Sequence, residues 1–367
     1  MRCLLVLALA ALAFGQSGPR LQISHTTEGL RGVSAVSRDV AWASGTHGTY
    51  LRTIDSGVTW TPAQVPDASG LDFRAVVAFP TDEAFLMSAG PGERSRIYHT
   101  VDAGKHWQLQ FTNANPKGFF DSMVFWDSKH GVVLGDPVPD AAGKLTFEVL
   151  LTEDGQNWRI LPAAHLPAAM EGEGAFAASN TCIAIVPGGS DSNIWFATGG
   201  KAARVFHSTD RGQSWQVAET PMVHGPDSAG IFSIAFRDAM HGVIAGGDYK
   251  HPNDDGPNLA FTEDGGKTWT LSTLHPLAYF SAVAYDRKVN EQAIREALVE
   301  KQMRVKAVAP QRIFIVGQDF VFDVRPPRDP RRMNGKKKFG IQFNAVSAYP
   351  EGGALIVGPK GVMAFLP

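Results

Sequence analysis

Two cysteines in 367 residues, Cys3 and Cys182, leave little scope for covalent cross-linking. Charged side chains make up only 19%, with a formal net charge of -2. That balance provides no broad positive field to draw in a polyanion, so nucleic-acid binding over the whole surface is not expected. The histidines show no H-x-x-x-H spacing and the cysteines no C-x-x-C, which leaves no metal site to nominate. Glycines follow apolar strands instead of opening helices, so a dinucleotide fingerprint is missing and no cofactor is expected.

Long hydrophobic runs are also lacking. The longest, residues 3–14, has about 12 residues where a membrane-spanning helix needs about 20. Preceded by Met1 and Arg2 and followed by Gly15, Gln16 and Ser17, it reads as a signal peptide over 1–15. The chain is therefore expected to be exported, periplasmic or secreted, and cleaved near Gly15. Cleavage would remove Cys3, so no internal disulfide is expected in the mature chain. Cys182, within the apolar stretch 181–186, reads as a small core side chain.

What the chain has in quantity is Gly (38), Pro (23) and apolar residues (44%), a mixture suited to many short strands joined by tight turns. One phrase, T-x-D-x-G-x-x-W, recurs with a period near 50 residues. Its copies are Thr53, Asp55, Gly57 and Trp60; Thr100, Asp102, Gly104 and Trp107; Ser208, Asp210, Gly212 and Trp215; and Thr262, Asp264, Gly266 and Trp269. A fifth, Thr152, Asp154, Gly155 and Trp158, is one residue shorter. In such a phrase the carboxylate caps turn N–H groups, Gly takes a positive φ, and Trp opens the next strand as an apolar wedge between repeats. This is an Asp-box (BNR-repeat) hairpin, and its residues read as structural.

A second phrase, a leading aromatic or Leu, a variable residue and a short apolar strand, occurs seven times. The copies start at Leu30, Phe73, Phe120, Phe176, Phe232, Phe280 and Phe343. The resulting expectation is an all-β, seven-bladed propeller, one domain over 16–367, with four-stranded antiparallel blades. After Phe343 only three strands fit, so Leu21 to Ser24 should supply the missing outer strand of the last blade and close the ring. Blade six departs from the repeat over about 287–340. Ile294, Leu298 and Val305 fall on one helical face. Its Asp box is replaced by Arg325, Arg328, Arg331 and Arg332, followed by Lys336, Lys337 and Lys338. This segment reads as a basic protrusion able to meet an acidic protein surface or anionic headgroups.

These inner strands, the Gly-terminated second strands and boxes such as Thr262 to Trp269 resemble the photosystem II stability/assembly factor-like family. The resemblance implies an exported or lumenal seven-bladed propeller, related to members that assist assembly of a membrane complex. Asp boxes also occur in sialidases and in xyloglucan-cleaving endoglucanases, so the fold alone does not choose a function.

Ligands of propellers usually dock at the channel mouth opposite the Asp boxes. The candidates there are Arg31, Arg74, Asp121 and Asn344 after the leading residues, and Asp248, Tyr249, Lys250 and His251 in the blade-five loop. Asp136, Asp248, Asp121 and Glu173 are the rim carboxylates that a glycosidase pair would need. No complete catalytic constellation appears. The leading reading is a monomeric, non-enzymatic binding or assembly propeller whose partner is an envelope protein or complex. The alternative is a carbohydrate-active hydrolase, glycosidase or sialidase-like, using the rim carboxylates.

Overall fold

The structure is a computed structural model and describes residues 19–186, 192–273, 278–287, 312–317, 320–324, 336–338 and 341–367. Residues 1–15, the helical pattern around Ile294, and Arg325, Arg328, Arg331 and Arg332 lie outside the described residues.

The described residues form an all-β propeller of antiparallel sheets in chain order. Sheet one comprises Leu30–Ala35, Ala41–Gly45, Thr49–Thr53 and Thr61–Gln64. Its two middle strands are buried apart from Arg52, and its outermost strand is exposed or half-buried. This gradient explains why the inner strands read as apolar runs while the fourth strands carry polar residues. Sheets two to four and sheet six repeat the four-stranded plan. In the last sheet, Arg20–Gln22 pairs antiparallel with Met363–Leu366, Leu21 lying opposite Ala364. The ring is joined there by Ala35 N–H donating to Ser347 Oγ (3.0 Å) and Asn344 Nδ2 donating to Leu30 O (2.7 Å).

Three expectations need correction. The sheets are not seven alike: six are four-stranded, and the remaining one has six strands. In it, Gly199–Gly200 bridges Glu173–Gly174 to the inner strand Ala229–Phe236. Two glycines permit this contact, because a Cβ at Gly230, whose φ is +150°, would overlap the Cα of Gly199. The second correction concerns Phe176. The innermost strand of sheet four is Ile183–Ile185, and the phrase starting at Phe176 belongs to an irregular segment. The third concerns Lys336–Lys338, which is a strand pairing with Phe320–Val324 at the outer edge of sheet six rather than part of a protruding loop.

Between sheets, the core is a series of apolar clusters, each shared by neighbours. Trp60 (2% exposed) packs with Ala345, Tyr349 and Leu355 of the last sheet. Trp215 packs with Val132 and Leu151 of sheet three, and Trp269 with Trp195 and Val205 of sheet four. Each tryptophan thus fills the gap to the preceding sheet. That burial contributes several kcal/mol per side chain by area.

Candidate functional site

The five repeated turns occupy one face and have the same internal bonding. In the second, Thr100 Oγ1 donates to Asp102 Oδ1 (2.9 Å) and accepts from Gly104 N–H (3.0 Å), while His106 N–H donates to Asp102 (2.9 Å). The His106 backbone and side-chain bonds hold the Asp102 carboxyl down at about 2. Thr59 does the same for Asp55 by its hydroxyl and its N–H, lowering that carboxyl. Asp154, Asp210 and Asp264 are bonded alike. Carboxylates engaged in this way are turn caps, already supplied with donors.

On the opposite face two acids, Asp121 and Asp136, have the reverse character. Asp121, on the inner strand Phe120–Phe125, is 1% exposed, and its Oδ2 has no hydrogen-bond partner. Burial, reinforced by the nearby Asp136, raises its pKa well above the ordinary carboxylate value, with Arg74 opposing. Burial also pushes Asp136 up to about 6, although its Oδ1 accepts from Ala175 N–H (2.9 Å). Cys182 lies in the same field, its Sγ 2.9 Å from Ser122 Oγ. Complete burial raises its thiol pKa, consistent with an inert core residue.

The two arginines lie close by. Arg74 Nε donates to Asp72 Oδ2 (2.9 Å) and its Nη1 to Ala177 O (2.9 Å). Arg31 is half-buried, its Nε lacks a partner, and burial followed by the repulsion of Arg74 weakens its hold on its proton. Tyr279, from the approach to sheet six, lies in the field of Arg31. Its ring meets Phe232 edge-on at 4.8 Å, and Phe232 stacks on Phe176 at 3.8 Å with Tyr249 at 6.1 Å. One side of the mouth is therefore cationic, the next acidic and buried, and the third aromatic.

Residues 176–181 hold these parts together from inside. Ala177 O bonds Arg74 of sheet two, Asn180 Oδ1 accepts from Met123 N–H of sheet three (2.7 Å), and Thr181 Oγ1 meets Ser233 Oγ of sheet five (2.7 Å). Ser179 Oγ donates to Ser281 O of sheet six (2.9 Å). A segment bonded to four other sheets acts as a plug that reaches across the inside of the ring.

The remaining candidates take structural positions. Glu173 is buried in a two-pronged pair with Arg204: Nε donates to Oε1 (2.9 Å) and Nη2 to Oε2. Thr198 Oγ1 and Met170 N–H supply further donors at 2.7 and 2.8 Å. With its oxygens so occupied, it is no free acid. Asn344 ties sheet seven to sheet one. Asp248 ends the strand Gly242–Asp248 and accepts from Lys250 N–H (2.9 Å) and His251 Nδ1 (2.9 Å). Although burial pushes upward, these bonds, His251 first, hold it at about 2. Asp248 thus organises the loop that displays Tyr249, Lys250 and His251. The sequence reading missed Asp72 and Tyr279, although both immediately precede a leading phenylalanine, Phe73 and Phe280.

No protein-family model matches the chain, nor does any curated protein sequence. Among solved structures it is similar to YCF48 bound to D1 peptide, at 16% identity and TM-score 0.64, covering 99% of each chain. It is nearly as similar to U3-55K, at 11% identity and TM-score 0.63, covering 95% of this chain and 98% of the other. The WD40 β-propeller domain of Doa1 follows at 12% identity and TM-score 0.59, with 95% and 97% covered. Scores so close across different propellers establish the propeller fold and leave function to the residues.

Proposed function

We propose that this chain is a non-enzymatic binding or assembly propeller that takes a polypeptide segment at its channel mouth. The observation that carries the reading is the pair of half-buried arginines, Arg31 and Arg74, together with exposed Tyr249 and half-buried Phe176, which rests on the buried Phe232 ring. Two half-buried guanidiniums close together suit an incoming carboxylate or backbone carbonyl. The adjacent aromatic faces suit the apolar part of a peptide. The complex of YCF48 with D1 peptide supports a peptide ligand for a propeller of this shape. In this reading the six-stranded sheet counts as one blade with two accessory strands, giving seven blades, five of them with Asp-box (BNR-type) hairpins, of the photosystem II assembly factor-like kind. The protein is one domain over 16–367, exported after cleavage near Gly15, with an envelope protein or complex as partner.

A screen of acidic peptides by fluorescence anisotropy tests it. Arg31→Ala with Arg74→Ala should abolish binding, whereas Glu263→Gln, at an exposed turn on the opposite face, should leave it intact. Unchanged binding in the arginine variant would overturn the site.

The second reading, a hydrolase of carbohydrate, is favoured by the raised pKa values of Asp121 and Asp136, since a glycosidase needs a protonated acid. Against it, Asp121 is buried too deeply to touch a sugar. Turnover of chromogenic glycosides or polysaccharides that disappears in Asp136→Asn would establish this reading in place of the first.

A further inference from the structure

The gap between sheets two and three is filled unequally along its length. At the turn end Trp158 occupies it, with Nε1 donating to Gln110 Oε1 of sheet two (3.0 Å) and its ring edge-on to Phe125 at 5.7 Å. Toward the other end the gap opens into a cavity of about 480 Å³. Its apolar walls are Phe111 from sheet two, Val138 and Pro139 from the long hairpin of sheet three, and Ile160 and Pro162 at that sheet's outer edge. Ile160 is 53% exposed, so this wall meets solvent.

The inner end of the cavity is polar. Side chains alternate along a strand, and Leu150 packs with Ala75 and Phe85 of sheet two, so Glu148 and Thr146 face sheet two as well. Glu148 is 5% exposed, and its Oε2 accepts from Asn113 Nδ2 (2.7 Å). Asn115 adds a second amide donor. The amide oxygens are engaged locally: Asn113 Oδ1 accepts from Asn115 N–H (2.9 Å), and Asn115 Oδ1 from Lys117 N–H (3.1 Å). Both amides are thereby oriented with their NH2 groups toward the carboxyl. Unlike Glu173, however, Glu148 pairs with no lysine, arginine or histidine among the described residues. Lys144 of the same hairpin turns its Nζ to Leu166 O (3.5 Å). A carboxylate withdrawn from water without a cation is costly, and burial accordingly raises the Glu148 pKa against the pull of the two amides. If the group served only to tie two sheets, a neutral acceptor would do so at less cost.

We propose that this cavity binds an organic cation carried on an apolar stem. The ammonium or guanidinium meets the Glu148 carboxylate, and the stem lies along Phe111, Val138 and Ile160. Apolar walls with one oriented polar group, in a volume within the range of roughly 300–1,000 Å³, are the usual plan of a small-ligand site. An anion would leave Glu148 unpaired and add repulsion. The cation can be a lysine or arginine side chain of a polypeptide or a free amine, and the inference stands without the peptide reading of the mouth.

Ligand-observed NMR titration of the full chain tests it with two probes, n-butylguanidinium and a capped pentapeptide carrying arginine among alanines. Each is set beside its neutral counterpart, n-butylurea and the citrulline peptide. The cations should bind saturably and the neutral probes about tenfold or more weakly. Glu148→Gln should remove that preference while keeping the fold, as checked by its thermal melt. Ile160→Ser, on the exposed wall, should weaken both cations about threefold or more, and Glu263→Gln should change nothing. Tighter binding of the peptide supports a polypeptide source, and tighter binding of butylguanidinium a free amine. Absence of binding by both cations, equal binding of charged and neutral probes, or a folded Glu148→Gln variant that binds cations like the wild type would overturn the proposal.

Discussion

The two faces of this propeller use the same residue, aspartate, in opposite electrical states. On the turn face Asp55 and Asp102 sit in water with several donors each, and their carboxyls are lowered. At the mouth Asp121 and Asp136 are withdrawn from water with few donors, and their carboxyls are raised. The difference separates a carboxylate that completes a turn from one whose bonding capacity is left unused beside the channel. Recurrence in sequence marks the first kind, and only burial marks the second.

Two mouth-side acids depart from that contrast: Asp248 is lowered by the bonds of its loop, and Glu173 is buried but fully paired. Arg204→Ala should cost about 3–5 kcal/mol of stability, because it strands a buried charge. Urea unfolding at pH 7 measures it, and a loss below about 1 kcal/mol would place Glu173 with the uncompensated acids instead.

The next largest effect should have the opposite sign. The folded pKa of Asp136, about 6, exceeds its unfolded value of 3.8. Protonation therefore stabilises the fold fully below pH 3.8, and that stability is lost as pH rises through 6. Asp136→Asn should gain about 2 kcal/mol at pH 8 and nothing at pH 3.5. Asp121→Asn should act in the same direction, because its shift has the same sign. A destabilised Asn variant at pH 8 would break the contrast between the faces.

On the turn face, Thr100→Val removes the hydroxyl that joins Asp102 to Gly104 and should cost about 1–2 kcal/mol. For Asp102 the sign reverses relative to Asp136. Its lowered pKa contributes stability above 3.8 that is lost as pH falls toward 2. Thermal melts of wild type and Asp102→Asn should therefore differ at pH 6 and converge near pH 2. The smallest effect is expected from Lys337→Ala on the outer strand of sheet six, within about 0.5 kcal/mol by the same denaturation assay.

How much was legible in the sequence depended on how local the cause was. The turn phrase was readable because the side-chain bonds by which its Thr and Asp cap it span four residues or fewer, from Thr53 to Gly57 or Asp102 to His106. The phrase at Phe176 misled because an aromatic followed by small residues serves a strand and a channel plug equally well. The bonds that decide between them reach 103 residues to Arg74 and 102 to Ser281. Glu173 looked like a free rim acid because Arg204 is 31 residues away in sequence. Lys336–Lys338 looked like a loop because charge disguises an edge strand as solvent-exposed coil.

The sequence by itself determined the repeat: hairpins capped by Asp, Trp wedges, and apolar inner strands whose burial drives ring closure. These follow from short-range hydrogen bonding and apolar periodicity, which any stretch of the chain carries with it. Tertiary structure alone decided which acids lost their water, which arginines came to share a mouth, and that the irregular segment before sheet four reaches across the ring. Desolvation and like-charge proximity are properties of the assembled ring, and no short stretch of sequence contains them.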